Sequence, residues 1–166
     1  MSLIADKWIT VGEWQSDVDT NINLKNGDWL DIAASGTIWA GVWFTGPNTA
    51  RGWEGWTAGN DKPLPGSPPF CLLGRTTDEG YFYIGDNLRR TYQSGTLGPG
   101  ETRLFLRIND NTPGNGSGAF NVRVMVWRNP DAVIALTPAG SDQEQELFRG
   151  GGDSASGGWR RESSAT

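Results

Sequence analysis

RLFLRINDNTPGNGSGAFNVRVMV, residues 103–126, carries the pattern that decides the fold. Leu104, Leu106 and Ile108 alternate with Arg103, Phe105 and Arg107, the period of two that puts one face of a strand in a core. The same period resumes at Phe120 and runs through Val122, Val124 and Val126. Between the two strands lie Asn109, Asp110, Asn111, Thr112, Pro113, Gly114, Asn115, Gly116, Ser117 and Gly118. That loop offers one carboxylate, three amides and carbonyls left accessible by glycine. Hard cations such as calcium take roughly six to eight oxygen ligands of these kinds. The same residues are also the commonest turn formers, so composition leaves both a polar turn and an ion- or ligand-binding loop open.

Working outward, the chain reads as strand after strand. Residues 7–14 mix β-branched and aromatic side chains and predict a first strand. In residues 18–24, Val18, Thr20, Ile22 and Leu24 share one face, and Lys25-Asn26-Gly27-Asp28 then forms a tight turn. Residues 29–34 and 36–44 predict a third and a fourth strand, and residues 45–69 are too rich in Gly, Pro, Asn and Trp for one regular element. Shorter strands are expected at 70–74, 81–84 and 89–95, before the closing pair. No long segment shows an apolar period of 3.6, which sets an α/β fold aside. The fold class expected is all-β, an antiparallel β-sandwich of the jelly-roll or galactose-binding-like kind.

Composition agrees with one such domain. The chain has 166 residues, 36% of them hydrophobic, with 24 glycines and nine tryptophans, enough to bury a core between many turns. Its net charge of −5 and lack of a basic stripe argue against nucleic acid, whose phosphates require clustered Lys and Arg. Cys71 is the single cysteine, so no internal disulfide forms, and it reads as a small buried hydrophobe. No signal peptide and no apolar run long enough to span a membrane is visible. The expectation is a soluble chain, either cytoplasmic or exported by a non-standard route.

The segments NGDWLDIAASGTIWAG (residues 26–41) and INDNTPGNGSGAFNVRV (residues 108–124) resemble the bacterial calcium-dependent galactophilic lectins. The resemblance covers residues 8–127 and implies a lectin-like β-sandwich. In that family a calcium ion, held by Asp and Asn side chains and by loop carbonyls, binds two galactose hydroxyls directly. Carried over residue by residue, the resemblance places Asp110 and Asn115 on the metal through their side chains, and Asn111 beside them is a further candidate ligand. The resemblance assigns the late carbonyl to Thr112 and the early one to Thr45, ahead of Gly46-Pro47. The family's second consecutive Asn is Gly116 here, which removes a ligand. The family's sugar-binding His and Gln fall in a loop that reads NDKPLPGSPP (residues 60–69), and the chain has no histidine.

Tryptophans offer a second route to a ligand, since the C–H face of a sugar packs on an indole ring. Trp53 and Trp56 sit among glycines and polar residues and are candidates for ligand binding or a protein interface. Trp39 and Trp43 read as structural strand residues, and Trp8, Trp14, Trp29 and Trp127 as core. Catalysis finds little support: no histidine can serve as a general base, no Ser or Cys sits in a nucleophile elbow, and the carboxylates are scattered.

Residues 1–130 are thus expected to form the sandwich and residues 131–166 an extension. Within the extension, Ser141-Asp142-Gln143-Glu144 fits a capping box for a short helix over 141–149, before a flexible Gly/Ser-rich tail. Two functions follow. One is a non-catalytic, calcium-assisted carbohydrate-binding module using Asp110, Asn115, Trp53 and Trp56. The other is a structural or accessory subunit of a larger assembly, a membrane complex or a viral or secretion particle, in an oligomer or complex. Its partner-binding anchors would be Leu147, Phe148, Trp159, Arg160 and Arg161, because aromatics and Arg dominate interface energies.

Overall fold

A computed structural model describes residues 1–94 and 100–130. They form nine strands: β1 (Ser2–Gly12), β2 (Val18–Leu24), β3 (Trp29–Trp39), β4 (Pro47–Asn48), β5 (Leu72–Thr76), β6 (Gly80–Tyr83), β7 (Asn87–Thr91), β8 (Thr102–Ile108) and β9 (Ser117–Arg128). One sheet has the order β1-β9-β3-β4, with β7 also on β3; the other has the order β2-β8-β5-β6, and every pairing is antiparallel. The expected antiparallel β-sandwich is therefore the observed architecture. The short helix and tail expected at 131–166 lie outside the described residues.

The core sits between the sheets and follows the sequence period. Leu104, Leu106 and Ile108 of β8 face Phe120, Val122, Val124 and Val126 of β9, all buried. Burying each such side chain stabilises the fold by roughly 1.5–3 kcal/mol. Strand β2 buries Thr20, Ile22 and Leu24 as its alternation predicts. It runs into the expected turn, where the Asp28 N–H donates to the Lys25 carbonyl at 3.0 Å and Gly27 takes φ 88°.

Several boundaries differ from expectation. The first strand covers Ser2–Gly12, not 7–14, because β9 is long enough to pair with it from Ser2 opposite Arg128 to Gly12 opposite Ala119. Leu3 and Ile4 lie exposed on this edge strand, so no burial pattern marks them. At the other end a turn closes at Gly12, with the Gln15 N–H on the Gly12 carbonyl at 3.0 Å. The strands expected at 29–34 and 36–44 are one strand, β3, ending at Trp39. Gly36 reads as a break but continues the ladder opposite Phe120, and a β-carbon there would meet the Ala119 carbonyl oxygen at 2.7 Å. It is glycine because β9 comes close, at φ 95°.

Four tryptophans are also corrected. Trp8 and Trp14, expected in the core, are 69% and 59% exposed. Trp8 points from the outer face of β1 and packs under the Arg123 guanidinium, 5.9 Å from the ring. Trp39 and Trp43, expected to be structural strand residues, are exposed as well, and Trp43 has left the strand altogether. Trp29 and Trp127 stand opposite each other, half-buried.

Candidate functional site

One end of the sandwich gathers the chemistry. There β8 ends at Ile108, β9 starts at Ser117, β3 ends at Trp39 and β5 starts at Leu72. The loop 109–116 crosses from one sheet to the other, and the long connection 40–71 returns beside it. Trp39 pairs with Ser117 on one side and Pro47 on the other, which brings the two loops together. Glu13, just past β1 and only 2% exposed, accepts the Gly114 N–H on both carboxylate oxygens at 3.1 and 3.2 Å.

Asn109 joins the loops. Fully buried, it accepts the Leu64 N–H at 2.9 Å and donates from Nδ2 to the Leu64 and Pro68 carbonyls at 3.0 and 3.1 Å. Its own carbonyl accepts the Phe70 N–H at 3.0 Å, and this holds Phe70 at φ 66°, a conformation rare for a bulky residue. The Trp53 N–H donates to Pro69 at 2.8 Å, so the aromatic turn beyond it hangs on the same scaffold.

Beside Asn109, the oxygens expected to face calcium face a lysine. Lys62 Nζ donates to Asp110 Oδ1 at 3.1 Å and to Asn111 Oδ1 at 2.6 Å. Asn111 Nδ2 donates to Asp61 Oδ2 at 2.9 Å, and the Thr112 N–H donates to Asp110 Oδ1 at 3.2 Å. The ammonium also lies over the Phe70 ring, 5.2 Å from its centre. Asp110, Asn111 and Thr112 are thus brought together, with Lys62 at their focus.

These residues do not fit a divalent ion while Lys62 is there. Calcium needs roughly six to eight oxygens, and the two best placed, Asp110 Oδ1 and Asn111 Oδ1, are already engaged by an ammonium of the same sign. Asp110 Oδ2 is buried and has no hydrogen-bond partner among the described residues. It is a spare anionic oxygen, but one closed to solvent. Among the described residues no group of three or more His, Cys, Asp or Glu side chains could hold a metal ion.

Asn115 and Thr45, the remaining expected ligands, have their own contacts. Among the described residues no hydrogen bond ties Asn115 or Thr45 to Asp110. Asn115 lies against Gly41, where an added β-carbon would meet its side-chain oxygen at 2.7 Å. Thr45 closes its own turn, donating from N and Oγ1 to the Val42 carbonyl at 3.1 and 2.9 Å. Asn115 thus packs, from the loop it shares with Asp110, against the segment that follows β3, and Thr45 closes that segment's turn.

An aromatic run forms the other feature of this end. Trp53 and Trp56 stack with centres 4.5 Å apart and planes 13° apart. Phe44 packs on Trp53 at 5.5 Å, and Trp43 meets Phe44 edge-on at 5.6 Å. Trp43, Phe44 and Trp56 are 85%, 58% and 59% exposed, while Trp53 is half-buried beneath them. The Arg51–Glu54 ion pair, 2.6 Å, braces the turn that carries Trp53. Trp53 and Trp56 thus meet as a pair, and Trp43 and Phe44 extend them.

Lys62, Glu13 and Phe44 escaped the sequence reading, and Asn109 entered it only as one amide of the loop. Lys62 had one available signal, as the only cation between Arg51 and Arg75. The partner-binding residues Leu147, Phe148, Trp159, Arg160 and Arg161 lie outside the described residues.

No family model and no curated protein matches the chain. Among solved structures, the N-terminal domain of EclA, a PllA-like lectin, matches with a TM-score of 0.52 and 21% identity, covering 76% of this chain and 98% of that one. The chain therefore shares its fold with a lectin domain, and the lectin-like resemblance of its sequence holds at the level of fold.

Proposed function

We propose that this chain is a non-catalytic carbohydrate-binding module that takes sugars on the aromatic run at one end of its sandwich. The observation that carries this reading is the exposure of Trp43, Phe44 and Trp56 in continuous ring contact with Trp53. Large rings left in water in one contiguous group mark a binding surface. A pyranose offers such rings an apolar C–H face and a rim of hydroxyls. Asp61 and Asn111, exposed on the neighbouring loops, supply donors and acceptors of the kind those hydroxyls need. The lectin fold supports the reading without locating the site, since sites are grafted on folds.

A glycan array followed by calorimetry tests it. Binding of at least one glycan is expected, weakened about tenfold or more by Trp43→Ala or Trp56→Ala, because truncating an aromatic hot spot costs about 2 kcal/mol or more. Silence on every glycan, or binding indifferent to both substitutions, would overturn the proposal.

A further inference from the structure

The Lys62 ammonium lies where two side-chain oxygens converge, with a third 3.9 Å away on Asp61. It is no loose surface lysine. Its side chain is 16% exposed and that of Asp110 6%, and the Phe70 ring covers it. A carboxylate this buried needs a compensating charge, because an isolated one is costly to take out of water. The Arg107 guanidinium bonds to the Asp110 backbone carbonyl, at 3.3 Å, and among the described residues Lys62 is the one cation that bonds to the Asp110 side chain.

We propose that Lys62 is the resident cation of this end of the sandwich. Its ammonium holds the charge-compensating place at Asp110 that a divalent ion would otherwise take, and it locks loop 58–68 to loop 109–112 without metal. Ligand binding here is accordingly independent of calcium. That last statement rests on the carbohydrate-binding reading; the role of Lys62 does not.

Two measurements on the full chain decide it. Wild-type protein should unfold at the same Tm in chelator and in millimolar calcium, and should give no saturable terbium luminescence. A calcium-raised Tm, or terbium binding abolished by Asp110→Asn, would overturn the proposal. Lys62→Met should lower Tm in chelator by ~10 °C, since it strands a buried carboxylate, and calcium should restore part of that loss. A Lys62→Met protein as stable as wild type would also overturn it. Should Lys62→Met yield no folded protein, the double variant Lys62→Met/Asp110→Asn decides, because removing both charges should recover folding. Failure to recover would count against the pairing. An empty glycan array would remove the sugar reading and leave these results untouched.

Discussion

Gly116 lies against the Trp39 carbonyl so closely that a β-carbon would fall onto that oxygen and approach the Gly41 amide nitrogen at 2.8 Å. Beside the lectin pattern Gly116 reads as a lost metal ligand. In the structure it is a packing requirement: the loop 109–116 enters β9 directly over the end of β3, and only glycine lets it pass. Gly116→Ala should therefore destabilise the domain by about 1–3 kcal/mol, because the obstacle is backbone, which cannot rotate away. Gly114→Ala, whose β-carbon would meet nothing but whose φ is 89°, should cost less, about 1 kcal/mol. Thermal unfolding of the two variants side by side checks the order.

Asn109 makes a sharper prediction. It is fully buried and its amide satisfies three backbone groups of loop 64–68. Asn109→Ala leaves those groups unpaired, and the expected loss is about 2–4 kcal/mol. Asn109→Asp should be no better, since a carboxylate cannot donate to the Leu64 and Pro68 carbonyls. Urea unfolding gives the numbers; a loss under 1 kcal/mol for Asn109→Ala would mean the loop stands without it.

How much of this could be read in the sequence depends on where each side chain faces. The β8 and β9 alternation was legible because both strands bury every second residue against the same core, so period and burial coincide. The first half of β1 was not, because an edge strand with exposed Leu3 and Ile4 has no such contrast. Trp8 and Trp43 were misplaced for a related reason: size favours burial, and nothing local says that an indole faces outward. The Lys62–Asp110 pair spans 48 residues and two loops, a meeting that only the folded chain makes. Asp110 was identifiable as a candidate ligand; that a lysine would face it was not.

Arg128 closes the opposite end. Its Nε and Nη2 donate to the two oxygens of Asp28, each at 2.8 Å, and the Lys25 N–H adds a third bond to Asp28 Oδ2 at 2.8 Å. Asp28 is 1% exposed, so removing Arg128 leaves a buried carboxylate with one backbone donor. Arg128→Met should cost about 3 kcal/mol. Asp28→Asn should cost less, because the freed guanidinium is 22% exposed and can turn to water. A double-mutant cycle by thermal unfolding measures the coupling, and a value near zero would show that the fork adds no stability.

Cys71 supplies a test against pH. Burial pushes its thiol from an ordinary 9.0 up to about 12. Native protein at pH 8 should therefore leave a thiol reagent untouched and react with one equivalent only after denaturant is added. The linkage has a definite sign. Between about 9 and 12 the unfolded chain releases the thiol proton while the native chain keeps it. The native state binds the extra proton, so stability falls as pH rises through that window, by up to about 1.4 kcal/mol per unit. Tyr81, Tyr83 and Tyr92 are raised by burial too and contribute in the same direction. Cys71→Ala isolates the cysteine: its stability should decline less steeply with pH than that of wild type above pH 9. Parallel declines would show that the thiol titrates alike in both states, and rapid labelling of the native protein would point the same way.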